Sequence, residues 1–131
     1  EVESAVRERR NSIYNHYVDE FTDLSNIERV KLPYHHEYVT GNGHMFYLIM
    51  QSQKDRSQFI KHMKESGVTT PFHYVPLHSA PAGVKFSRAH GDLSVTNNVS
   101  ETLVRLPMYY DLGNDIERVL EVAFSYFNTH K

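Results

Sequence analysis

The spacing of apolar residues predicts an amphipathic helix at the start of the chain, over residues 2 to 24. Apolar residues recur at spacings of three and four, and charged residues cluster near the start of the segment. The apolar positions are Val6, Ile13, Tyr14, Tyr17, Val18 and Phe21, and the charged ones are Arg7, Glu8, Arg9 and Arg10. No Ser, Thr, Asp or Asn capping residue precedes the helix. We therefore expect that this helix continues from a longer polypeptide on its amino-terminal side.

The middle of the chain alternates between strand and helix patterns. Residues 44 to 50 are almost continuously apolar, which is typical of a central strand that is covered on both faces. Asp55 followed by Gln58 resembles a capping box, and Gly67 stands where a helix end favours a left-handed residue. These signals predict a helix over residues 56 to 66.

Two long connections and two further strands are expected around these elements. Residues 68 to 75 read as a strand, and Pro71 places it at an edge because proline cannot donate to a sheet. Residues 25 to 43 and 76 to 93 show no sustained period, apart from a short strand pattern at 27 to 32. Connections of this length usually serve function or lie against another part of a protein.

The last third of the chain predicts a short helix, a third strand over residues 105 to 109, and a closing helix. For the closing helix, Asn114 is the expected cap and Glu117 its capping-box partner. The expected apolar stripes contain Val95, Val99 and Leu103 in the short helix, and Ile116, Val119, Leu120, Ala123, Phe124 and Phe127 in the closing helix. Altogether we expect one α/β domain, with a leading helix over 1–24 and a small α/β unit over 25–131.

Charge and composition narrow the possible partners. The chain has 14 basic and 16 acidic residues, and no run of Lys and Arg that would attract nucleic acid or an anionic membrane surface. It has no cysteine, which excludes disulfides and thiolate metal sites and favours a cytoplasmic protein. Neither nucleic acid nor membrane is therefore an expected partner.

The segment from His73 to His78 is the main candidate for chemistry. It carries two imidazoles and the phenol of Tyr74 from a predicted strand into a proline-containing loop, where binding sites are commonly built. From spacing alone, however, a half-buried structural role for His73 and a solvated one for His78 are favoured. A metal site that joins these two with His35 or His36 lacks a recognisable ligand spacing.

Other polar residues offer weaker candidates. His44 follows a turn at Asn42 and Gly43, where a structural role is more common than a catalytic one. Arg88, with Lys85 and His90 nearby, could bind a phosphate group through its forked guanidinium, although solvated loop charges are the simpler interpretation. The sequence contains neither a glycine-rich phosphate loop nor a Gly-x-Ser-x-Gly elbow.

An ordered succession of motifs resembles one enzyme family. The segments Asn42 to Tyr47, Gly67 to His78 and Val99 to Tyr109 are similar to the carboxy-terminal part of the DegT/StrS-type sugar aminotransferases. The arginine-rich first helix is similar to the helix that leads into that part of those enzymes. The resemblance covers nearly the whole chain, and the order of the motifs is more specific than any one of them.

The resemblance implies a fold and an activity. It implies the small domain of a fold-type I pyridoxal-phosphate enzyme, with a short, mainly antiparallel sheet packed with helices. It also implies transfer of an amino group from glutamate to a nucleotide sugar by a homodimer. His73, Tyr74 and His78 would lie nearest the sugar, with His44 and Arg88 as weaker substrate contacts.

The same resemblance implies that the cofactor lysine, its aspartate partner and the phosphate-binding residues lie in a part of the enzyme that this chain lacks. No residue of the chain is therefore expected to be catalytic, to bind the cofactor or to bind a metal, and the isolated chain is expected to be inactive without bound pyridoxal phosphate. Two alternatives remain open. One is a stand-alone ligand- or protein-binding module, and the other is the histidine metal site.

Overall fold

Five helices and three strands make up the described part of the chain, namely residues 2–34, 36 and 38–130 of the computed structural model, without the side chain of Val2. His35, which was one choice of ligand for the histidine metal site, and the glutamate at 37 lie outside these described residues. In chain order the elements are α1 (Val2–Asn26), β1 (Val30–Lys31), β2 (Phe46–Met50), α2 (Gln53–Glu65), α3 (Pro81–Phe86), α4 (Ser94–Thr102), β3 (Leu103–Leu106) and α5 (Asp115–Thr129).

The three strands form an antiparallel sheet in the order β1-β2-β3. The predicted small α/β fold and the central position of β2 are therefore confirmed. Burial alternates along β2, because Phe46, Leu48 and Met50 are buried whereas Tyr47 and Ile49 are only half-buried. The expectation that both faces are fully covered was wrong, and one face of the sheet retains solvent access.

Aromatic packing holds α1 against the covered face of the sheet. The ring of Tyr17 stacks on that of Phe46 at 4.9 Å, and Phe21 stacks on Phe124 of α5 at 5.3 Å. The Tyr17 hydroxyl donates to the Pro107 carbonyl at 3.0 Å, so this buried phenol keeps a polar partner. Fully burying one such side chain stabilises the fold by about 1.5–3 kcal/mol. The predicted apolar stripes of the first and last helices therefore form the core.

A half-buried ion pair joins the end of α1 to α2 and α5. The Arg29 guanidinium binds the Asp55 carboxylate through two hydrogen bonds of 2.6 and 3.0 Å, and the Tyr126 hydroxyl donates to the same carboxylate at 2.7 Å. Burial alone would raise the pKa of Asp55, but the hydrogen bonds from Arg29 and Tyr126 outweigh it and lower that pKa below its ordinary value. The carboxylate thus connects three distant parts of the sequence.

The helix over residues 53–65 begins three residues earlier than predicted, and its cap is different. Ser52 is the N-cap, since its hydroxyl accepts a hydrogen bond from the Asp55 amide at 3.1 Å. The predicted capping box of Asp55 and Gln58 was wrong, because the Asp55 carboxylate is bound by Arg29. The predicted helix end is confirmed, and Gly67 has a positive φ of 81°.

The predicted strand over residues 68 to 75 was also wrong. Within it Phe72 forms a single bridge with Val104, and the Arg105 amide donates to the Pro71 carbonyl at 2.9 Å. Because Pro71 has no amide hydrogen, the ladder ends there. The segment therefore lies along the β3 edge of the sheet as an extended chain.

The connection over 76 to 93 contains α3, a short helix that its sequence pattern did not predict. Pro81 starts it, which is a favourable position for proline, and Gly83 packs against the Leu77 carbonyl oxygen so closely that a β-carbon would overlap with that oxygen. The glycine therefore lets the loop fold back on itself.

The last third of the chain differs from expectation in its boundaries. Leu103 starts β3 instead of lying on the preceding helix, and β3 ends at Leu106 because Pro107 follows. The closing helix is confirmed, but the Asn114 side chain makes no capping hydrogen bond. Across the described ranges, no helix combines the length and apolarity needed to cross a lipid bilayer.

Candidate functional site

A groove of about 460 Å³ lies between helix α4 and the extended segment that starts at His73. This volume falls within the range of small-molecule sites, which is about 300–1,000 Å³. The groove lies at the β3 edge of the sheet, where Leu103 forms part of its wall. Its lining consists of His73, Tyr74, Val75, Pro76, Leu77, Val95, Thr96, Val99, Ser100 and Leu103.

Hydrogen bonds to α4 position the groove's outer wall. Ser100 donates through its hydroxyl to the Tyr74 carbonyl at 2.8 Å, and the His78 Nε2 atom lies 2.8 Å from the Asn97 side-chain oxygen. These residues face the segment because three-residue spacing puts Asn97 and Ser100 on one side of the helix. The wall is therefore fixed at two points, one on each side of Pro76.

A third contact fixes the beginning of the segment. The Arg56 guanidinium lies 5.4 Å from the centre of the Phe72 ring, and its Nε atom donates to the Glu101 carbonyl at 2.9 Å. A cation over an aromatic face at this distance stabilises by about 0.5–1 kcal/mol at exposed sites. Arg56 therefore ties α2 to both the segment and the end of α4.

His73 is the groove residue with a shifted pKa and an unpaired ring nitrogen. Its ring lies 4.3 Å from the ring of Tyr74, and its Nδ1 atom is buried without a hydrogen-bond partner. Burial lowers the pKa of His73 below its ordinary value, and the nearby charge of Arg105 lowers it further. The imidazole is thus mainly neutral at pH 7 and can donate or accept one hydrogen bond toward a ligand.

The two histidines of the segment have different surroundings. His73 lines the groove, whereas His78 is bound to Asn97 and lies outside the lining. Within residues 2–34, 36 and 38–130, no group of three His, Cys, Asp or Glu side chains could hold a metal ion. The described part of the chain therefore offers no metal centre around His73 and His78.

Exposed apolar side chains surround the groove. The side chains of Tyr74, Leu77 and Val95, which line the groove, are 68%, 84% and 75% exposed. Contiguous apolar surface of this kind is characteristic of a binding surface. The groove therefore combines an apolar rim with the polar groups of His73 and Ser100.

The remaining predicted residues lie apart from this groove. His44 precedes β2, its amide donates to the Asn42 side chain at 3.0 Å, and it lines a second groove of about 550 Å³ beside α1. Arg88 is exposed in the connection between α3 and α4. The structure therefore brings together His73 and Tyr74, holds His78 at their edge, and places His44 and Arg88 elsewhere.

Arg105 is a residue of interest that the sequence did not identify. It lies in β3, and its charge reaches His73 because the His73 segment runs along that strand. Its Nε atom is buried without a hydrogen-bond partner. The only signal in the sequence was a cationic residue inside an apolar strand pattern, which is also common on exposed sheet faces.

A covalently held aldehyde cofactor requires a lysine directed into a site. Every lysine that the structure describes is exposed, and none of them lines either groove. The described residues therefore do not supply the lysine that such a cofactor needs. These lysines are Lys31, Lys54, Lys61, Lys64 and Lys85.

The sequence of this chain matches a known protein family. Residues 2–123 match the sequence profile of the DegT/DnrJ/EryC1/StrS aminotransferase family. The chain is 28% identical over 120 residues to dTDP-3-amino-3,4,6-trideoxy-alpha-D-glucose transaminase of Micromonospora megalomicea subsp. nigra, covering 87% of this chain and 30% of that protein. It is also 29% identical over 114 residues to an uncharacterized protein of Methanocaldococcus jannaschii. That alignment covers 84% of this chain and 29% of the relative.

Solved structures share the same fold. The aminotransferase TlmJ from Streptoalloteichus hindustanus superposes with a TM-score of 0.83 at 21% identity, covering 98% of this chain and 34% of its own. DesV of S. venezuelae, solved with a ketimine intermediate, superposes with a TM-score of 0.80 at 21% identity. The superposition covers 94% of this chain and 32% of DesV. The chain spans about a third of the length of these proteins. Because the profile match extends over nearly all of its residues, the chain belongs to the DegT/DnrJ/EryC1/StrS aminotransferase family.

Proposed function

We propose that this chain is the small domain of a pyridoxal-phosphate-dependent nucleotide-sugar aminotransferase. In that enzyme an amino group passes from glutamate to the 4-keto carbon of a TDP-6-deoxyhexose. The observation that carries the proposal is the groove at His73 and Tyr74, since it occurs in a chain that belongs to a family of aminotransferases. The relative from Micromonospora, whose name is that of a dTDP-aminosugar transaminase, supports this choice of substrate class.

The segment around His73 also supports a finer assignment. The amino-acid sequence from His73 to Pro81 most resembles that of TDP-4-oxo-6-deoxy-D-glucose transaminase, which acts in the synthesis of enterobacterial common antigen. We assign that reaction to the complete enzyme, acting in the cytoplasm to supply cell-surface polysaccharide. The TDP-sugar and glutamate are then its two substrates, and a homodimer is its working form.

The proposed roles of individual residues are positioning roles. The His73 imidazole would hydrogen-bond a sugar hydroxyl, and the exposed Tyr74 ring would pack against the ligand. His78 would hold the loop through Asn97, and His44 and Arg88 are secondary substrate contacts. Correct placement of a reactant contributes strongly to catalysis even where the contacting residue transfers no proton.

The cofactor belongs to the remainder of the enzyme in this proposal. Pyridoxal phosphate, when bound, supplies the electron sink that amino-group transfer requires. The residues of this chain bind and orient the sugar and exclude water from one side of it. The isolated chain is accordingly expected to catalyse no transamination.

A substrate panel tests the proposal on the complete enzyme. With glutamate as donor, TDP-4-oxo-6-deoxy-D-glucose should be converted to an amino sugar, observed by mass spectrometry as the exchange of a keto oxygen for an amino group. A 3-keto isomer and the UDP-linked 4-keto sugar are the matched comparisons. Turnover of another keto sugar alone would refute the finer assignment, and turnover of none would favour a stand-alone binding module.

A further inference from the structure

Arg105 occupies an unusual position on the half-covered face of the sheet. It pairs in register with Tyr47 of β2, so both side chains project from the same face. Its Nε atom is buried without a hydrogen-bond partner, and no carboxylate forms an ion pair with it among residues 2–34, 36 and 38–130. By contrast, Arg29 binds Asp55 and Arg118 binds Glu121.

His73 shares that face of the sheet. The bridge between Phe72 and Val104 fixes the register, and alternation along the extended segment then puts His73 on the same side as Arg105. Among the described residues, four side-chain atoms are buried without a partner, and two of them are the Arg105 Nε and the His73 Nδ1. Two unsatisfied polar groups therefore lie on the same face of the sheet, and they are close enough for the charge of Arg105 to lower the pKa of His73.

Such an arrangement is costly unless something binds it. An unsatisfied buried polar group costs about 1–3 kcal/mol, and more when the group is charged. Native proteins satisfy most of their buried polar groups, so an exception calls for an explanation. The missing partner should be an acceptor with negative charge, because a guanidinium only donates.

The guanidinium fork determines which acceptors fit. Its parallel N–H groups match two oxygens of a phosphate or a carboxylate, and such charge-assisted pairs are about twice as strong as neutral ones. The imidazole of His73 and the hydroxyl of Tyr47 can donate to a third oxygen of a phosphate, or to the remaining lone pairs of the two carboxylate oxygens. The site thus offers three hydrogen-bond-donating side chains from three neighbouring segments.

We propose that Arg105, His73 and Tyr47 bind one anionic oxygen group, a phosphate or a carboxylate. Within the proposed function, that group belongs to the nucleotide sugar or to glutamate, and this identification rests on the proposed function. The anion site itself does not depend on it, since inorganic phosphate can be tested on this chain alone.

Amide NMR of the 131-residue chain provides the test. Titration with inorganic phosphate at constant ionic strength should shift the amides of Thr70, Phe72, His73 and residues 103–106 and reach saturation. The Arg105→Gln variant should bind at least tenfold more weakly, whereas Arg118→Gln, which alters an exposed pair, should bind as the wild type does. Shifts that never saturate, or equal affinity of the Arg105→Gln variant, would overturn the proposal.

A second variant and a second ligand complete the test. If Arg105→Gln does not fold, Arg105→Lys retains the charge but loses the fork, and an affinity equal to wild type would then count against the site. A parallel titration with glutamate identifies the source: saturation by phosphate alone assigns a phosphate group, and saturation by glutamate alone assigns a carboxylate. Binding of neither refutes the site but leaves the transamination assay unaffected.

Discussion

Replacing Asp55 with alanine should lower the free energy of unfolding by about 3 kcal/mol, because it leaves the Arg29 guanidinium half-buried without its partner. The substitution also removes the acceptor of the Tyr126 hydroxyl. Three segments that are distant in sequence lose their common contact. Urea unfolding at pH 7, followed by circular dichroism, measures the difference.

A matched control separates this effect from the loss of any surface charge. Glu121→Ala breaks an exposed pair with Arg118, whose side chains are 70% and 56% exposed, and should cost less than about 0.5 kcal/mol. Equal losses for Asp55→Ala and Glu121→Ala would show that the Arg29 cluster has no special role in stability.

The pH dependence of this pair has a definite sign. Asp55 has a lowered pKa in the folded state, so its contribution is fully present above the unfolded-state value of about 3.9 and is lost as pH falls through the folded value. The stability difference between wild type and Asp55→Ala should therefore shrink in strongly acidic solution. A difference that grows on acidification would contradict the assignment.

The second large effect concerns catalysis by the complete enzyme. His73→Ala should raise the KM for the nucleotide sugar about tenfold, since one buried hydrogen bond contributes about 1–1.5 kcal/mol. The KM for glutamate should change little if His73 contacts the sugar alone. Steady-state kinetics with each substrate varied in turn gives both values.

His90→Ala is the matched control for this substitution, because His90 is exposed in the connection before α4 and does not line the groove. It should leave both KM values unchanged. If His73→Ala also leaves them unchanged, His73 has only a structural role.

Much of the fold could be predicted because its signals are local. The stripes that bury Tyr17 and Phe21 in α1, and Ala123 and Phe127 in α5, repeat with the helical period and therefore identify these helices. The 68–75 segment was misjudged because a strand depends on a partner as well as on its own apolar residues. The hydrogen bonds that would complete it are limited by Pro71.

The candidate site could be predicted only in part for the same reason. His73 and Tyr74 stand out because two imidazoles and a phenol occur in one short segment that leads into a proline-containing loop. Arg105 lies more than 30 positions away in sequence, and only the bridge from Phe72 to Val104 brings it to His73. Likewise the bond from His78 to Asn97 depends on where α4 packs. Contacts between distant segments leave no local pattern.

The position of the cofactor lysine tests most directly whether this chain is one domain of a larger pyridoxal-phosphate enzyme. The complete enzyme can be treated with borohydride to fix pyridoxal phosphate to its lysine and then digested for peptide mass spectrometry. We expect one stoichiometric phosphopyridoxyl group, on a lysine outside residues 1–131, and none on the isolated chain after the same treatment. A stoichiometric label on a lysine within residues 1–131 would contradict it.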